Sequence, residues 1–92
     1  MAAPRKPVIM VVDDEPAQRI LLRNALESAG YGVLPRATGA EALGDAAHCD
    51  LMLLDVRLPG MDGLEVLRRL RQTPTPPPVM LLTAYMDLRD AV

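Results

Sequence analysis

Aromatic residues are nearly absent. Tyr31 and Tyr85 are the only two, and neither Phe nor Trp occurs. That argues against a base-stacking platform and against a membrane aromatic belt. A large excess of either charge is missing too. Ten Lys plus Arg stand against twelve Asp plus Glu, a formal net charge of -2, so there is no basic excess to grip nucleic acid phosphates. Cysteine is reduced to Cys49, which excludes an intrachain disulfide and cannot by itself make a zinc site. Long apolar runs are lacking as well. The longest aliphatic stretches, Val8–Val12 and Leu51–Leu54, are far short of the roughly 20 residues that span a bilayer. The basic opening MAAPRKP leads into an apolar stretch that ends at Asp13, too short for a secretory signal. The expected setting is cytoplasmic, with no membrane contact and no direct nucleic acid binding by this segment.

What is present suits one small soluble domain. The chain has 92 residues, half of them hydrophobic and 24% charged. Three unbroken aliphatic runs, Val8–Val12, Leu51–Leu54 and Val79–Leu82, read as strands buried on both faces. Tyr31–Arg36 is a weaker strand. Pro35 cannot donate to a ladder, which places it at a sheet edge. Between the strands lie helical patterns. Pro16 suits a first turn, and Ala17, Leu21, Leu22, Ala25, Leu26 and Ala29 then mark an apolar face that stops at Gly30. Thr38 with Glu41 forms a capping box for a second helix. Asp62 with Glu65 opens a third, with Leu64, Leu67 and Leu70 on one side and Arg68, Arg69 and Arg71 outward. Asp87 is placed to start a fourth. Met10, Met52 and Met80 are expected in the core, and His48 on the surface. This alternation predicts an α/β fold, a doubly wound parallel sheet with helices on both faces. Its functional crevice would lie beyond the carboxyl ends of the strands.

Asp13 and Asp14 follow the first strand, Asp55 the third and Thr83 the fourth. If the strands are parallel, all four converge at one edge. Two like charges about 4 Å apart at an effective dielectric near 20 repel by about 4 kcal/mol. Either one carboxyl is protonated or a divalent cation neutralises the group. Hard oxygen ligands with no His or Cys among them suit Mg2+. Taken singly, Asp13 or Asp14 also fits a helix cap and Asp55 a turn residue. The joint pattern favours a site.

The stretches VIMVVDDEP, LMLLDVRLPGMDGLEVLRRLR and VMLLTAY, together with ATGAEAL, resemble the receiver domain of two-component response regulators. The resemblance covers nearly the whole chain and implies a flavodoxin-like (CheY-like) sheet of order 2-1-3-4-5. By its pattern Asp55 resembles the phosphoacceptor. Asp14 resembles the direct Mg2+ ligand, and Asp13 the neighbour that holds the metal through water. Arg57 occupies the position whose backbone carbonyl completes the ligands. Thr83 resembles the hydroxyl residue that bonds the phosphoryl oxygen, and Ala84 the small residue that leaves room for its entry. The implied partner is a sensor histidine kinase, whose phosphohistidine would supply the phosphoryl group. TAYMDLRDAV resembles the receivers of NtrC-like transcriptional regulators.

The chain departs from that family pattern at its end. The family's fifth strand, fifth helix, phosphoryl-pairing lysine and switch aromatic have no counterpart here, and Lys6 is the only lysine. Residues 1–92 therefore read as a receiver incomplete at its C-terminus. A fourth strand left as an edge, and a face uncovered beside the first helix, imply a longer parent protein, a partner that supplies the missing edge, or a homodimer. Two other functions compete with a switching phosphoacceptor: a truncated, non-switching interaction module, and a Mg2+-dependent aspartyl phosphohydrolase. Against the hydrolase, Asp13 and Asp14 are consecutive and no substrate-capping segment is visible.

Overall fold

A computed structural model describes residues 5–82. The expectations for Thr83, Ala84, Tyr85 and the helix from Asp87 lie outside the described residues. The elements are β1 (Val8–Val12), α1 (Pro16–Ser28), β2 (Gly32–Arg36), α2 (Gly39–Asp45), β3 (Leu51–Asp55), α3 (Gly63–Leu70) and β4 (Val79–Leu82), with a 3-10 turn over Ala46–His48 after α2. All strand pairs are parallel, and the order across the sheet is β2-β1-β3-β4. This is the doubly wound α/β arrangement. Pro35 does lie on an edge strand, as its missing N–H requires.

Each helix starts where its first-turn chemistry dictates. Pro16 stands at the head of α1, where its missing N–H costs nothing. Thr38 caps α2 in a full capping box: Glu41 N–H donates to Thr38 Oγ1 at 3.1 Å, and Glu41 Oε1 accepts from the Thr38 N–H at 3.2 Å. Asp62 caps α3 by accepting from Glu65 N–H at 2.8 Å. Past the end of α1, Gly30 has φ +98, the left-handed conformation that ends helices.

The sheet divides two cores. Met10, Val12, Met52 and Leu54 point to the side of α2 and α3, where they meet Ala42, Leu58, Val66 and Leu70. Ile9, Val11 and Leu53 point to the other side, where Leu22 and Leu26 of α1 pack over them. The alternation follows from the period of two along each strand.

Three expectations about facing are corrected. In α1 the half-buried row is Gln18, Leu22 and Leu26, while Leu21 is 64% exposed. In α3 the buried residues are Gly63, Val66 and Leu70; Leu67 packs at the core's margin and Leu64 is exposed. Leu22 and Leu26 of the expected α1 face and Leu70 of the expected α3 face do pack, while Leu21 and Leu64 turn outward. Met10 and Met52 are fully buried, but Met80 is exposed on β4. It points to the α1 side of the sheet, and α1 packs over β1 and β2 rather than β4. Among the described residues β4 forms the second edge of the sheet. His48 is exposed as expected.

Candidate phosphoacceptor and metal site

The strand register places the acidic residues. Val12 pairs with Leu54 across β1 and β3, so the next residue on each strand, Asp13 and Asp55, stands at the same level on neighbouring strands. Parallel neighbours are about 4.8 Å apart. Asp14 follows at the start of the β1–α1 loop. One carboxylate oxygen from each of Asp13, Asp14 and Asp55 lies within 4.8 Å of the others. Asp13 and Asp55 are buried, at 4% and 8% exposure, while Asp14 is exposed at the mouth. Asp55 itself pairs with Leu82, the last described residue of β4, and Thr83 is the next residue in sequence.

The loops tie down half of each buried carboxylate. Glu15 N–H donates to Asp13 Oδ1 at 2.9 Å. Arg57 N–H donates to Asp55 Oδ1 at 2.9 Å. The second oxygen of each accepts no hydrogen bond among the described residues, and no described buried side-chain polar atom lacks a partner. Asp55 Oδ2 is therefore open to what enters the crevice. The Asp13 main chain is also held: its N–H donates to the Arg36 carbonyl at 3.1 Å, and its carbonyl accepts from Arg19 at 2.6 Å.

Burial pushes the Asp13 carboxyl above the usual carboxylate range. The Glu15 N–H opposes this, and the nearby negative charges of Asp55 and Asp14 add to it. The donor set is all hard oxygen, partly buried and mutually repulsive, which fits Mg2+ and offers nothing to a soft metal.

The β3–α3 loop is built around this site. Leu58 is buried against Leu54 and Val66 in the larger core and anchors the loop. Gly60, at φ +80, makes the turn that Pro59-Gly60 signals in the sequence. Gly63 has no such backbone demand. Its role is close approach: a Cβ there would come within 2.7 Å of Val56 Cα and closer still to the Asp55 carbonyl. The sequence pattern singles out neither Gly63 nor Arg19. The one available signal for Arg19 was its place one turn into the helix that follows the acidic pair.

The family model of the response regulator receiver domain matches residues 9–92. The chain belongs to that family. It is 48% identical over 86 residues to the uncharacterized transcriptional regulatory protein YkoG of Bacillus subtilis, covering 91% of this chain and 38% of that protein. It is 39% identical over 90 residues to the DNA-binding transcriptional regulator NtrC of Escherichia coli, covering 96% of this chain and 19% of that protein. Among solved structures, the response regulator TrrA of Thermotoga maritima in complex with Mg(2+)-BeF superposes with TM-score 0.81 at 39% identity, covering 94% of this chain and 76% of that one. The chain thus spans well under half the length of these two transcriptional regulators. Among the described residues no helix is long and apolar enough to cross a membrane.

Proposed function

We propose that this chain is the phosphoacceptor receiver unit of a two-component response regulator, with Asp55 as the acceptor. The observation that carries the reading is the convergence of Asp13, Asp14 and Asp55 within 4.8 Å, with Asp55 Oδ2 taking no hydrogen bond among the described residues. Asp13, Asp14, Asp55 and the Arg57 carbonyl would hold Mg2+, which when bound neutralises charge on the phosphoryl oxygens. The chain's own residues then do the following. Arg57 N–H fixes Asp55 by Oδ1, so that Oδ2 is presented as the nucleophile. Oδ2 bonds to phosphorus, and the P–N bond of a kinase phosphohistidine breaks, its electron pair leaving with the imidazole nitrogen. The product is an acyl phosphate on Asp55. The Thr83 hydroxyl then bonds a phosphoryl oxygen, and that new contact biases the output.

The likeness to YkoG and NtrC supports a transcriptional output in a longer parent chain, with residues 1–92 as its receiver part. A sensor histidine kinase in the cytoplasm is the donor on this reading. The β4 edge, unpaired among the described residues and with Met80 and Leu81 exposed, supports cover by further chain, by a partner or by a second copy. Light scattering after size-exclusion chromatography separates the second copy from the other two.

Incubation with Mg2+ and acetyl phosphate, followed by intact-mass measurement, tests the central reading. A labile gain of one phosphoryl group that disappears in Asp55→Asn is expected. A folded chain that gains nothing would leave only an interaction module. Sustained turnover of phosphate esters would make it a hydrolase.

A further inference from the structure

The geometry points to Arg19 as a positioning residue for the acidic site, an inference that rests on the metal-binding reading above. Arg19 lies in the first full turn of α1, its own N–H bonded to the Glu15 carbonyl at 3.0 Å. Helical side chains tilt toward the N-terminus, and the Arg19 guanidinium reaches back over that turn to donate to the Asp13 main-chain carbonyl at 2.6 Å. The contact is partly buried and crosses the point where the chain leaves β1 and turns into the helix.

A second tie to that turn from the helix side is the Glu15 N–H bond to Asp13 Oδ1. Glu15, at the N-cap, makes no side-chain capping bond, so the usual staple between loop and helix is missing. Arg19 takes its place. Together with Arg36 on β2 and the Glu15 N–H, it leaves Oδ2 as the one polar atom of Asp13 without a hydrogen bond among the described residues. Among the described residues Arg19 makes no hydrogen bond to a carboxylate of the site. Its target is the backbone that carries Asp13 and Asp14.

Position and charge make opposite demands on a cation here. A guanidinium acting through charge alone would repel a divalent ion, and its removal would tighten Mg2+ binding. A guanidinium acting by holding the loop would, on removal, loosen the carboxylates and weaken Mg2+ binding. Outer-sphere partners of metal ligands typically contribute 10–100-fold in affinity.

The test is a Mg2+ titration of the full chain, read from amide NMR shifts, beside urea denaturation of the same samples. Arg19→Ala is expected to weaken Mg2+ binding about tenfold while the unfolding midpoint stays close to wild type, because Ala is the best helix former. Arg19→Lys, which keeps a donor and the charge, should recover most of the affinity. Should the alanine variant not fold, Arg19→Met keeps the packed stem without the donors and is expected to show the same loss. Unchanged or tighter Mg2+ binding in a folded Ala or Met variant overturns the inference. Equal loss of affinity in the lysine variant, tracking lost stability, does so too. A folded wild type that binds no Mg2+ instead overturns the metal reading itself, and this inference with it.

Discussion

Gly63 lies against the peptide of Asp55 so closely that even a methyl group has no room: its Cβ would fall 2.7 Å from Val56 Cα. The contact is sealed by Gly63 N–H donating to the Val56 carbonyl at 2.9 Å. The start of α3 is thus docked on the backbone of the proposed acceptor. Gly63→Ala must push the helix or the end of β3 aside. Overpacking of this kind costs about 1–3 kcal/mol, which urea denaturation would detect as a lower midpoint. Wild-type stability in this variant would mean that the close approach relaxes freely.

Asp13→Asn separates the metal-free fold from the metal site. Burial raises the Asp13 carboxyl above the ordinary range, so the folded state holds its proton more tightly than the unfolded state does. That contribution to stability is present at low pH and is lost as pH rises through the raised value. At neutral pH the charged side chain is a penalty. The Asn oxygen still accepts from Glu15 N–H. The metal-free variant should therefore melt higher than wild type at pH 7, while its Mg2+ affinity falls about tenfold or more. Thermal melts with and without Mg2+ read both effects. A variant that melts lower without metal would contradict the argument.

Asp50 works in the opposite sense. It accepts from both terminal nitrogens of Arg5, at 2.9 and 2.7 Å, and from Val8 N–H at 2.7 Å. These bonds pin the segment before β1 to the start of β3. The hydrogen bond from Arg5 holds the Asp50 carboxyl below its usual range. The stability it supplies is present above the ordinary aspartate value, about 3.9, and is lost as pH falls through the lowered one. Asp50→Asn should flatten the acid side of the stability profile below about pH 4. Denaturation midpoints across that range would show it, and an unchanged slope would count against the clamp.

Two leucines separate core from surface. Leu54 is fully buried and Leu21 is 64% exposed. Leu54→Ala should cost about 2–5 kcal/mol. Leu21→Ala should stay within about 0.5 kcal/mol of wild type. The comparison tests whether Leu21 lies outside the core, and comparable losses at both sites would place it inside.

Strands and helix starts were legible because their signals are local. Val8–Val12 and Val79–Leu82 are strands residue for residue, and Thr38 and Asp62 cap the helices they announce. Helix facing was not legible to the same degree. In α1 the rows 17-21-25 and 18-22-26 lie side by side, and each contains leucine. A period of 3.6 cannot choose between adjacent rows. The choice belongs to Ile9, Val11 and Val33, which Leu22 and Leu26 meet across the smaller core.

The same division holds for the site. That Asp13 and Asp55 end strands follows from their place after aliphatic runs, and parallel pairing then brings them together; both are written in the order of residues. Which oxygen of Asp55 is free, how near Gly63 comes, and that Arg19 grips the Asp13 carbonyl depend on loops folding back onto strand ends. Those contacts join residues through backbone atoms, which every residue type shares. No pattern of side chains can encode them ahead of the fold.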